Sequence, residues 1–238
     1  MKKKLNQKLI NLIEYYSIFN ANLLLSDKPI KRIIDNQTSG LSFAGSKIQK
    51  LEKLKKKILE IKNCDLKKNA TNLVFGDGNI NANIMIIGEG PGAQEDIVGK
   101  PFVGRAGKLL DKMLESINLN RKKVYISNIV NYRPPENRRP TDSEISKYLP
   151  YIQKHIEIIN PKILVLLGST ALNSLIGSEE IISKVRGKWM KKEIGIIKPW
   201  IIVSFHPAFL MRQPQQKKMA WIDLKMIRDK IKTLGLNL

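Results

Sequence analysis

The sequence predicts an α/β/α sandwich: a central, mainly parallel four-stranded sheet covered by helices, with a basic helical N-terminal extension. Three observations carry this reading. Four short apolar runs, at 84–87, 124–130, 163–167 and 201–205, have the length and near-unbroken hydrophobicity of strands buried on both faces. Helical patterns lie between and after them, at about 105–117, 142–159, 169–176 and 214–233, and strands alternating with helices imply parallel neighbours joined by crossovers. The first 70 residues hold 16 Lys or Arg against 6 Asp or Glu, so nearly half of the chain's net charge of +21 sits in under a third of its length.

Taken in order, residues 1–46 form the basic extension and 47–238 the α/β domain. SDKP at 26–29 is a turn, and NQTSGLSFAGS at 36–46 is a linker. Ile48, Leu51, Leu54, Ile58 and Ile61 recur every three or four residues, which describes a helix with one buried face and a Lys-rich outer face. The first strand, Ile84 to Ile87, runs into a loop with glycines at 88, 90 and 92, stiffened by Pro91. Leu109, Leu110, Met113, Leu114 and Ile117 give the next helix an apolar face. Thr141 followed by Glu144 is a capping box that opens the helix over 142–159. ILVLL at 163–167 and IIVSF at 201–205 complete the sheet.

The 238 residues, 42% of them hydrophobic, suffice for one well-packed core. With 42 basic and 21 acidic residues the expected partner is a polyanion, above all nucleic acid, because each neutralised phosphate releases condensed counterions. The plainer alternative is that a chain rich in Lys, Ile and Asn throughout, as proteins of AT-rich genomes are, owes part of its charge to codon bias. A membrane surface is the weaker option. No apolar run approaches the roughly 20 residues that span a bilayer. The start MKKKLNQKLINLIEYY contains Glu14 and no small-residue cleavage site, so a cytoplasmic protein is expected. The single Cys64 excludes an internal disulfide.

The glycine loop lacks the GxxxxGK[ST] and GxGxxG patterns of phosphate cradles, and Glu89, Glu95 and Asp96 would repel phosphate. It suits a neutral ligand. In open α/β sheets ligands bind beyond the carboxyl ends of the strands. Glu89 follows the first strand, Asn128 closes the second and His206 follows the fourth. Singly, each has a plainer explanation: a solvated carboxylate, a turn cap, a core histidine. Convergence of a carboxylate, an amide and an imidazole at one sheet edge favours a site.

These segments resemble the family-four uracil-DNA glycosylases of bacteria and archaea. The resemblance rests on GEGPGAQEDIVGKPFVGRAGKLLDKML at 88–114, TNLVFGDGN at 71–79, SNIVNYRPPENRRPT at 127–141, RGKW at 186–189 and SFHPAFLMRQP at 204–214, in the family's order. It implies a monofunctional enzyme that flips uracil out of DNA, hydrolyses its N-glycosidic bond and leaves an abasic site. The competing readings are a DNA-binding protein of the same fold that has lost turnover, and a glycosylase for another deaminated base.

By the same resemblance, Glu89 and His206 are catalytic, the first acting on water and the cationic sugar, the second donating to uracil O2. Phe102 stacks on the base and Asn128 reads its edge. Gly88, Gly90 and Gly92 shape the loop, and Glu95 lies at the C5 edge, bonded to Asn137. Leu210 is the wedge that fills the gap left by the flipped nucleotide. Arg105 and Arg212, with Arg133, Arg138 and Arg139, are candidate phosphate contacts, each with the plainer reading of a solvated surface charge. The protein is expected to act as a monomer on uracil-containing DNA.

Two departures stand out. The family's iron-sulfur cluster needs four thiolates, whereas this chain has Cys64 alone, with Lys67, Tyr132 and Tyr148 at the matching places. No cluster and no other cofactor are therefore expected, with the tyrosines filling the space. Gly90 also stands where many relatives carry Ala.

Overall fold

A computed structural model describes residues 41–177 and 181–237, so the turn at 26–29 and most of the basic extension lie outside the described residues. Helix α1 (Lys47–Leu59) opens with a capping box in which Ser46 accepts from the Gln49 N–H at 3.4 Å and Gln49 Oε1 accepts from the Ser46 N–H at 2.9 Å. Leu51, Leu54 and Ile58 are buried, whereas Ile48, expected on the same face, is 57% exposed. A short helix, α2 (Asp65–Asn69), follows Cys64. Next come β1 (Asp77–Gly78), β2 (Ile84–Gly88), α3 (Ala93–Val98), α4 (Arg105–Glu115) and β3 (Tyr125–Asn128). The second half alternates in the same way: α5 (Asp142–Ile159), β4 (Ile163–Leu167), α6 (Ser169–Ile176), α7 (Ile182–Val185), β5 (Trp189–Lys191), β6 (Trp200–Ser204), α8 (Pro207–Arg212) and α9 (Lys217–Thr233).

The strands form one sheet in the order β1-β3-β2-β4-β6-β5. The four strands expected from the sequence are its parallel centre, and β1 and β5 are added antiparallel at the two edges. The sheet thus has six strands where four were expected. At two and three residues, the added strands are too short to show a period, and Gly78 and Lys191 do not signal a buried strand. The expected capping box of α5 is present: Thr141 N–H donates to Glu144 Oε2 at 2.7 Å and Glu144 N–H to Thr141 Oγ1 at 3.3 Å.

Side chains alternate across the strands, so each central strand feeds two cores. Met85 and Ile87 of β2, Leu164 and Leu166 of β4, and Ile201 and Val203 of β6 pack with α1, α5 and α6. Ile84 and Ile86, Ile163 and Val165, and Ile202 pack on the other face with α4 and α9. Full burial on both faces explains the strands' continuous hydrophobicity. Beneath the second layer Arg186 is ion-paired to Asp223, with Nε 3.0 Å from Oδ2, and Ser204 Oγ donates to the same oxygen at 2.6 Å. Burial pushes the Asp223 carboxyl up, and the hydrogen bonds from Arg186 and Ser204 oppose that shift.

Candidate active site

Parallel strands point their carboxyl ends the same way, and the register brings Gly88 of β2 directly beside Asn128 of β3. Glu89, Asn128, Phe102 and His206 all line one cavity of about 160 Å³, together with Gly90, Gly92, Glu95 and Asn137. The residues expected to carry the chemistry are therefore brought together.

Each wall has a local cause. Gly88 has no side chain because a Cβ there would lie 2.5 Å from both Asn128 Oδ1 and Phe102 Cζ. Asn128 is 1% exposed, and its Oδ1 is buried without a hydrogen-bond partner. An unsatisfied buried carbonyl costs about 1–3 kcal/mol, which a ligand with a matching N–H recovers. Phe102 is held at φ 54°, in the left-handed region that a side chain disfavours. Arg121 secures it: the guanidinium donates to the main-chain carbonyls of Pro101, at 3.0 Å, and Phe102, and is itself fixed by Asp111 at 2.9 Å and Asp77 at 3.0 Å. Gly107 of α4 leaves room for the same Phe102 carbonyl, which a Cβ would meet at 1.8 Å.

His206 caps α8, and its Nδ1 accepts the Ala208 N–H at 3.2 Å. An accepting Nδ1 places the ring proton on Nε2. Burial lowers the imidazole pKa, Glu89 opposes that shift and Arg212 reinforces it, so the ring is neutral at pH 7 and a donor through Nε2. The ring lies 5.5 Å from that of Phe102, tilted by 32°.

Several site residues differ from expectation. Glu95 does not bond to Asn137. It accepts from three main-chain N–H groups, Gly92 at 3.1 Å, Val103 at 2.9 Å and Gly104 at 2.7 Å, and so clasps the two ends of the loop that carries Phe102. Asn137 instead accepts from Arg133 Nε at 2.8 Å. Leu210 faces the core and is 1% exposed, because α8 turns its apolar side against α4 and the sheet. It is not at the surface to wedge a duplex; Arg212, Gln213, Pro214 and Gln215 are the exposed residues of that segment.

Of the five arginines, Arg138 is committed to Glu144 through two hydrogen bonds of 2.8 and 2.7 Å, and Arg139 turns toward α6. Arg105 and Arg212 are exposed and make no ion pair among the described residues. Gly90 has a steric reason for departing from Ala, since a Cβ would lie 2.8 Å from a Val130 methyl.

One polar side chain of the pocket region escaped the sequence reading. Thr170, just beyond β4, donates to Glu89 Oε2. The rule that located Glu89, Asn128 and His206, inspection of the polar residues just past the carboxyl end of each parallel strand, applies to β4 as well.

Away from this pocket, Cys64, Tyr132 and Tyr148 are buried together, with Cys64 Sγ 3.2 Å from Tyr148 Oη. Burial raises both phenol pKa values, which keeps the tyrosines protonated, and the Lys67 ammonium donates to the Leu59 carbonyl. One thiol, two protonated phenols and an ammonium are not the ligand set of an iron-sulfur cluster. Among the described residues no three His, Cys, Asp or Glu side chains are grouped to hold a metal ion, and no helix is long and apolar enough to cross a membrane.

Comparison with known proteins agrees with this geometry. The family model of the uracil DNA glycosylase superfamily matches residues 75–225. The chain is 40% identical over 186 residues to the type-4 uracil-DNA glycosylase of Archaeoglobus fulgidus, covering 76% of this chain and 94% of that one. It is 43% identical to the type-4 uracil-DNA glycosylase of Sulfurisphaera tokodaii, covering 75% and 84%, and 40% identical to that of Thermotoga maritima, covering 72% and 90%. With the pocket walls assembled at the carboxyl edge of a parallel sheet and these matches spanning most of the domain, the chain belongs to the uracil DNA glycosylase superfamily, among its type-4 members.

Proposed function

We propose that this chain hydrolyses the N-glycosidic bond of uracil in DNA, taking the base out of the stack and leaving an abasic site. The observation that carries the reading is the buried, unpartnered Oδ1 of Asn128 beside Phe102 and His206. Uracil offers an N3–H donor to that oxygen and a 4-carbonyl to the amide N–H. Cytosine has no proton at N3 and an amino group at C4, so it reverses both partners and is rejected. Phe102 supplies a ring face for stacking, worth about 1–3 kcal/mol.

Bond cleavage leaves the electron pair on N1 and positive charge on the sugar. The negative charge spreads to O2, where the neutral His206 donates through Nε2, a contribution of about 3–4 kcal/mol for a well-placed donor. Water adds its oxygen to C1′. Its proton leaves through Glu89, whose carboxylate also opposes the cationic sugar, and solvent reprotonates the uracil anion. Glu95 holds the Phe102 loop and fills the wall that excludes the thymine methyl. Arg105 and Arg212 contact phosphates.

We infer further that the chain works as a monomer without an iron-sulfur cluster, the buried Cys64, Tyr132 and Tyr148 replacing it by packing. Stoichiometric iron and sulfide in anaerobically purified protein would overturn this inference.

The deciding experiment is excision from an oligonucleotide with one uracil, with alkali to reveal abasic sites. Strand breaks only after alkali, at uracil and not thymine, and strongly reduced in Glu89→Ala and His206→Ala, support the proposal. Saturated DNA binding with no release of uracil refutes it.

A further inference from the structure

The segment that follows the remaining parallel strand, β4, delivers a side chain to Glu89, which lines the pocket. Thr170, 1% exposed in the first turn of α6, donates its hydroxyl proton to Oε2 of Glu89. The same hydroxyl accepts from Arg139 Nε at 2.9 Å, while Arg139 Nη2 donates to Ser169 Oγ at 3.3 Å. Arg139 Nε is 3.9 Å from Glu89 Oε2.

A guanidinium can only donate and a hydroxyl carries one proton, so the direction of the chain is determined. Arg139 occupies a lone pair of Thr170 Oγ1, and the hydroxyl proton is directed onto the carboxylate. Oε2 is thereby held, and Oε1 of Glu89 has no hydrogen-bond partner among the described residues. A glutamate on a glycine-rich loop otherwise samples several rotamers, and a nucleophile misplaced by about 1 Å can cost a hundredfold in rate.

We propose that Thr170, braced by Arg139, is a positioning residue for Glu89: it fixes one carboxylate oxygen so that the other meets the attacking water. The inference rests on the proposed role of Glu89 in activating that water. It makes Thr170 a determinant of rate and not of DNA affinity, since its hydroxyl is engaged within the protein.

Single-turnover excision and DNA affinity, measured on the full chain with melting temperature as the folding control, test it. Thr170→Val is expected to slow excision about tenfold or more, the effect of losing a hydrogen bond to a charged group, with DNA affinity within about twofold. Thr170→Ser keeps the hydroxyl and is expected to retain the rate within about threefold. Should Thr170→Val fold poorly, Arg139→Gln, on a half-exposed side chain, is expected to give a several-fold loss of rate with unchanged affinity. A cycle separates positioning from general damage: the Thr170→Val/Glu89→Gln double variant should be no slower than Glu89→Gln alone. Parental rate in Thr170→Val, or a full multiplicative loss in the double variant while Glu89→Gln is crippled, overturns this proposal alone. Parental rate in Glu89→Gln overturns the reading of Glu89 and the positioning role with it.

Discussion

Arg121 grips the main-chain carbonyl of Phe102, and the position of that ring in the pocket wall therefore depends on a side chain that does not itself line the pocket. Asp77 of β1 and Asp111 of α4 hold the guanidinium, so an edge strand and a helix jointly stabilise the left-handed turn at Phe102. Arg121→Met is expected to raise KM for uracil-containing DNA about tenfold and to lower the melting temperature, because Asp111 loses its partner and Asp77 is left with Lys100 alone. Arg121→Lys restores charge without the fork and should recover stability more than KM. Steady-state kinetics beside thermal melting checks this; equal KM in all three proteins contradicts the coupling.

Asn128 gives a case where stability and activity part. Its Oδ1 is unsatisfied, so Asn128→Leu, with the same branching and no polar atom to leave unpaired but bulkier methyl groups, is expected to keep stability within about 1 kcal/mol of the parent. The same change should cut uracil excision about a hundredfold, since the base edge loses its matching groups. Denaturant melts and single-turnover assays on one preparation measure both quantities.

Gly88 is required by close approach, not by an unusual φ. Gly88→Ala places a methyl 2.5 Å from both the Asn128 amide oxygen and the Phe102 ring, two groups that define the pocket. The expected outcome is a loss of about 1–3 kcal/mol in stability from overpacking, with excision reduced far more. Stability loss alone, with parental excision at low temperature, would show that the pocket accommodates the methyl.

His155 predicts the acid limb of stability. It is buried, stacked 4.2 Å from Phe75 and bonded to Tyr125 Oη at 2.9 Å, and burial pushes its pKa down to about 3. The unfolded chain binds a proton near pH 6.5. The contribution is therefore complete above about pH 6.5 and is lost as pH falls from there toward 3. Linkage over that interval gives about 3 kcal/mol less stability at pH 4 than at pH 7.5 from this group. His155→Gln should flatten that part of the profile in denaturant melts; an unchanged slope would assign the acid sensitivity elsewhere.

The parallel centre of the sheet and the placement of Glu89, Asn128 and His206 at its carboxyl edge were legible because each rests on local information. Unbroken apolar runs mark strands buried on both faces, and polar residues just past their carboxyl ends stand out against them. The edge strands β1 and β5 were not legible, because pairing of two or three residues depends on a neighbour supplied from far along the chain. Glu95 and Leu210 illustrate the same limit. Glu95 does line the pocket, but folding commits it to three main-chain N–H groups in place of Asn137, and it turns the expected wedge, Leu210, inward.

What the sequence by itself determined is the order of the four central strands and the long helices between them, the family motifs, the strongly basic character and the presence of a single cysteine. Tertiary structure alone decided which arginines are ion-paired within the protein, which tautomer His206 adopts and that Thr170 reaches Glu89 from 81 residues away. The reason is physical: periodicity and motif are properties of neighbours in the chain, whereas hydrogen-bond direction and burial are properties of neighbours in space.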